Sequence, residues 1–192
     1  MKTERVIGGA PFFIAMLFVA LAGPAHSESG PDFARKGGYL GVGFALGINN
    51  FDIPSSIDVD AGFGFDAWGG YRFHPYLAAE LQVEYLNGFG TDIPGPDVSG
   101  QAVTFTGNLK VYILKGRAQP FLLAGAGLGW EEFELDGWKE SRTAFAARFG
   151  GGFDYYFSEN WVLQFSPTYV LQTGDLEGGD YISIILGVQY RF

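Results

Sequence analysis

Apolar and polar residues alternate with a period of two along most of this chain. Residues 181–192 show the pattern most plainly. Ile182, Ile184, Leu186, Val188, Tyr190 and Phe192 share one face, while Tyr181, Ser183, Ile185, Gly187, Gln189 and Arg191 share the other. Side chains that point to opposite sides in turn are the signature of a β-strand. The first face is apolar without a break and ends in two aromatics. The second is mixed and mostly polar or small. A strand that crosses a membrane as part of a barrel needs an apolar outer face, a polar inner face and an aromatic at the rim.

The same alternation recurs in residues 38–48, 61–73, 77–87, 103–114, 120–130, 142–157 and 161–171, which makes eight predicted strands. Pro167 interrupts one run, and a proline there implies a bulge or a demoted strand. Glycines 41, 43 and 47 form a row on one face of the first strand, leaving room for large side chains opposite. Short connections near 74–76, 115–119 and 158–160 alternate with long ones near 49–60, 88–100, 131–141 and 172–179. The pattern predicts an all-β fold, an eight-stranded antiparallel up-and-down transmembrane β-barrel. Such barrels have an even strand number, short periplasmic turns and longer outer loops, and closure removes every sheet edge. A soluble lipocalin-like barrel would require the polar and apolar faces to be exchanged.

The first residues fall outside the alternation. Lys2 and Arg5 precede an apolar run at 11–22, followed by small residues at Ala25 and Ser27. The run is shorter than the ~20 residues of a spanning helix. It reads as a secretory signal peptide, residues 1–27, ahead of an outer-membrane barrel domain at 28–192. Residues 27–36 are polar and without period, a short periplasmic lead. Among the 192 residues, 30 are glycine, 17 % are aromatic and none is cysteine, which excludes disulfides and thiolate metal sites. The net charge of −9 includes +1 from the leader, so the remainder carries about −10 and lacks the basic face of a nucleic-acid binder.

By parity, Asp66, Arg72, Glu80, Glu84, Lys110, Arg148, Asp154 and Arg191 share the inner face with the glycines. Charges of both signs inside a barrel must form ion pairs and hydrogen-bonded chains, here with Gln82, Asn108, Gln164 and Gln189. Counting back from the turns places Glu80 and Glu84 near Lys110. An eight-stranded interior is about wide enough for side chains to fill. The network is therefore expected to plug the barrel, with a narrow pore for ions or small solutes as the alternative. Trp68 points inward. Trp130, Trp161, Tyr71, Tyr85, Tyr155, Tyr169 and Tyr190 point outward, as membrane-interface belts do. Many acids, Asp58, Asp60, Glu131, Glu132, Glu134 and Asp180 among them, lie in or beside the long connections. They read as a solvated surface, with Mg²⁺ or Ca²⁺ shared with lipopolysaccharide phosphates as the alternative; neither 58–60 nor 131–134 has the spacing of a calcium loop.

The stretches FHPYLAAELQVEY, RAQPFLLAGAGLGW, FAARFGGGFDYYFSENW and the terminal QYRF resemble the small OmpA/OmpX-type outer-membrane barrels over nearly the whole mature length. The resemblance implies an integral outer-membrane location among lipids and lipopolysaccharide. It implies assembly by periplasmic chaperones and the barrel-assembly machinery, with Tyr190 and Phe192 as the assembly signal. A monomer without cofactor or metal is expected, with a structural or surface-interaction role. No C-terminal peptidoglycan-binding domain is expected after Phe192. Some barrels that resemble this one modify lipid A, but hydrolysis there needs an activated nucleophile with a base in reach. His74 lies in a predicted periplasmic turn and the Glu80/Glu84 pair beside a lysine, so the chain is not expected to be an enzyme.

Overall fold

Strand formation follows from β-branched and aromatic residues set at every second position, each segment ending in a Gly-, Pro- or Asn-containing turn. The computed structural model describes residues 32–49, 61–90, 99–135, 138–173 and 179–192. The leader expected at 1–27 and most of the long connections lie outside the described residues. The eight strands are β1 (Gly37–Asn49), β2 (Gly62–His74), β3 (Leu77–Gly90), β4 (Ser99–Tyr112), β5 (Ala118–Leu135), β6 (Trp138–Tyr156), β7 (Trp161–Gln172) and β8 (Tyr181–Arg191). Each pairs antiparallel with its sequence neighbours, and β8 returns to β1 to close the barrel. Every regular element among the described residues is a strand.

Two expectations at the strand ends are corrected. Residues 131–141 were expected to be loop, yet β5 and β6 stay paired from Glu131↔Arg142 to Leu135↔Trp138. In sequence, EEFEL and WKESR carry charged residues at both parities, so hydrophobic contrast fades while backbone pairing continues. Pro167 causes no bulge. Gly150↔Thr168 and Phe153↔Phe165 keep one register across it, and the ladder to β6 skips only the rungs between them. Proline has no N–H to give at such a rung. The Gly150-Gly151-Gly152 run passes this point, where a Cβ on Gly150 would lie 2.5 Å from the Pro167 carbonyl oxygen.

The faces divide as membrane insertion requires. Outward residues such as Phe44, Phe65, Leu122 and Leu186 are more than half exposed, whereas the inner face is buried. The inner glycines of β1 and β8 make space for one large ring. A Cβ on Gly41 would lie 2.2 Å from the Trp68 indole, and one on Gly187 would lie 2.7 Å from it. Gly41→Val is therefore expected to destabilise the barrel by roughly 1–3 kcal/mol through overpacking. Urea unfolding in detergent micelles measures this, and adding Trp68→Phe should recover part of the loss.

Candidate functional site: the polar interior

Alternation along eight tilted strands sends every second side chain into one narrow column. The eight charged positions read from the sequence all lie there, each at most 3 % exposed, four acids and four bases. The structure does not gather them into one cluster. They occupy successive levels.

At the end with the short connections, Arg72 donates to Gln119 Oε1 at 2.6 Å and to the Pro75 carbonyl, and its guanidinium lies 4.0 Å from the Tyr112 ring centroid. Arg191 donates to Tyr156 Oη at 2.7 Å and to the Arg35 carbonyl. Both arginines also reach the carbonyl oxygen of Phe33, at 3.4 and 2.7 Å, and Gln119 Nε2 reaches it at 3.1 Å. The segment 32–36 thus sits against the barrel mouth, with Ala34 buried and the Phe33 ring 5.2 Å from that of Tyr156. The segment has no period, so its sequence predicts only a periplasmic lead, and no local signal marks its partners.

One level deeper, Lys110 Nζ lies 2.9 Å from Glu80 Oε2 and donates to Gln164 Oε1 at 2.7 Å. Tyr39 Oη donates to Glu80 at 3.1 Å, and Tyr112 Oη donates to Asp154 at 3.0 Å. Asn108 donates to Gln82, Gln82 donates to Asp66, and Trp68 Nε1 donates to Gln189. Glu84 is not beside Lys110, which corrects the placement obtained by counting from the turns. It belongs to the level above, where Arg148 grips it with two nitrogens at 3.1 and 3.3 Å. Tyr181 Oη donates to Glu84 at 2.8 Å, and Ser183 donates to it as well. The inner tyrosines complete most of the acid levels. The alternation that puts Tyr181 on this face puts Tyr39, Tyr112 and Tyr156 there too, without assigning them partners.

Ion pairing is thus complete for Glu80 and Glu84. Asp66 and Asp154 are held by neutral donors, and one oxygen of each has no hydrogen-bond partner among the described residues. Such an oxygen inside a polar column is a natural place for a bridging water. A lumen open to water would leave its lining accessible, and these side chains are not. Tyr190 and Phe192 lie on the outer wall with ring centroids 5.4 Å apart, and Trp161 packs edge-on against Tyr190 at 5.1 Å. The one histidine among the described residues, His74, is exposed beside the turn after β2, where its Nδ1 accepts from the Tyr76 amide at 3.3 Å.

A closed, even-stranded antiparallel barrel, apolar outside and polar inside with aromatics at its rim, is the architecture of an integral protein of the bacterial outer membrane. The chain belongs to the outer membrane protein beta-barrel domain family, whose profile matches residues 13–192. No curated protein sequence matches it significantly. Several solved structures share its fold. Ail, the attachment invasion locus protein of Yersinia pestis, is 21 % identical with a TM-score of 0.60, over 82 % of this chain and 100 % of that one. Neisserial surface protein A is 17 % identical with a TM-score of 0.65, over 82 % and 99 %. OprG of Pseudomonas aeruginosa is 18 % identical with a TM-score of 0.54, over 81 % and 96 %. At these identities the likeness is one of fold. The protein resides in the cell outer membrane.

Proposed function

We propose that the barrel is a closed, non-catalytic scaffold that presents its acidic outer connections to partners at the cell surface. The observation that carries this reading is the filled interior, in which the buried charges balance and side chains from facing strands meet across the axis. A permeation path needs accessible lining and a line of weakly held charge. Here Lys110 and Arg148 are each engaged by a carboxylate and a neutral acceptor. The acidic residues of the outer connections disfavour polyanionic partners and favour contact with cationic or metal-bridged surfaces, lipopolysaccharide among them. In this reading residues 1–27 direct export, Tyr190 and Phe192 address the assembly machinery, and the barrel works as a monomer.

Planar-bilayer recording of the refolded barrel tests the proposal. The wild-type barrel should be silent once its heat-modifiable gel mobility confirms folding. Discrete openings that Lys110→Ala or Glu84→Ala resize would replace the scaffold by a narrow channel. Expression should leave lipid A acylation unchanged, as mass spectrometry of extracted lipid A would show.

A further inference from the structure

The outer wall is not uniformly filled. Along β2 the outward positions run Tyr71, Gly69, Ala67 and Phe65, so two small residues lie between two exposed aromatics. In register, Gly69 is flanked by Leu40 of β1 and Leu81 of β3, and Ala67 by Val42 and Val83. The larger neighbours stand as two walls, and Gly69 and Ala67 form the floor between them. An apolar trough of about 490 Å³ takes in this floor and continues past Leu40 and Val42 to Val188, Tyr190 and Trp161.

Three features identify what fills it. The trough opens on the membrane-facing wall, so the bilayer is its surroundings. Its lower end meets an aromatic cluster. Phe157 stacks on Trp161 at 6.5 Å, and Trp161 packs against Tyr190, directly after the short connection at 157–160. Aromatic belts of this kind lie at the headgroup level. Short connections are periplasmic in such barrels, so the trough runs from the periplasmic headgroup level into the hydrocarbon. Finally, an apolar trough that runs across several strands suits a flexible hydrocarbon chain.

We infer that this trough is a specific binding site for one acyl chain of a phospholipid from the periplasmic leaflet, held more firmly than the surrounding annular lipid. The chain packs on Gly69 and Ala67 between the two leucines, and its headgroup lies at the level of Trp161.

Native mass spectrometry of the full barrel, extracted from membranes in mild detergent, tests the site. The wild type should retain a phospholipid through delipidating washes. Ala67→Phe, which fills the floor, should lose it. Ala124→Phe, at an exposed position on β5, should keep it. Should Ala67→Phe not fold, as judged by gel mobility, Gly69→Leu serves instead. The Cβ it adds is crowded by the movable end of Leu40, at 2.7 Å, with the Tyr39 carbonyl oxygen at an ordinary 3.8 Å. Retention unchanged by filling the floor, no retained lipid in the wild type, or retention of lipid A in place of a phospholipid would each overturn the assignment. So would a second copy of the barrel, released by Ala67→Phe.

Discussion

Arg148→Met is expected to destabilise the barrel by roughly 3–5 kcal/mol, because it leaves the Glu84 carboxylate buried without a cation. Glu84 would still accept from Tyr181 and Ser183, but these neutral donors do not cancel its charge. Arg148 would also withdraw its hydrogen bond to Thr168 Oγ1, now 3.0 Å. Equilibrium urea unfolding of the barrel in lipid vesicles measures the loss as a lower midpoint. Adding Glu84→Gln to Arg148→Met should restore much of it, since removing both charges avoids the uncompensated one. The Arg35–Glu159 pair, 3.9 Å apart with Arg35 partly and Glu159 largely exposed, is the contrast. Breaking that pair should change stability by about 0–1 kcal/mol, as surface pairs do. Equal costs at both pairs would mean that the interior is hydrated and the Arg148 level accessible.

The second large effect lies on the opposite face. Leu186→Arg is expected to destabilise the membrane-inserted barrel by roughly 2–4 kcal/mol, the cost of a lipid-facing arginine near the bilayer midplane. Leu186 is half exposed on β8, between Phe44 of β1 and Phe165 of β7 in register, with no polar neighbour for a guanidinium to reach. A soluble barrel with this wall in water would gain from the same change, since it would replace exposed apolar surface with charge. The sign of the shift in urea midpoint therefore separates the two environments. Leu186→Ala should have a much smaller effect, because lipid replaces the lost side chain.

The sequence carried the strands and both faces of the barrel because alternation is local. Each position is classified by its immediate neighbours, and one buried face forbids a slip in register. What stayed hidden is what locality does not encode. The strands β5 and β6 continue past Trp130, where the EEFEL and WKESR stretches carry charged residues at both parities and little contrast to read. Pro167 stays in its strand because only the rungs beside a glycine run are missing, a condition set on β6. The interior charges were legible as a set but not as pairs. Glu84 and Arg148 are 64 residues apart and meet across the axis, which counting within one hairpin does not reach. The barrel mouth was least legible. Nothing within 32–36 announces that Phe33 offers its carbonyl to side chains of three distant strands.

That carbonyl has a consequence for the order of assembly. Its shortest bond, 2.7 Å, comes from Arg191, 158 residues away. Joining groups so far apart in sequence carries a loop-closure cost that must be met before the contact returns anything. Residues 32–36 therefore gain this anchor only after β8 has zipped onto β1, and they act as a latch dropped behind a closed door. Protection of Phe33 from protease during refolding should lag strand formation and coincide with the final gel-mobility shift, marking the instant at which an open sheet becomes a barrel.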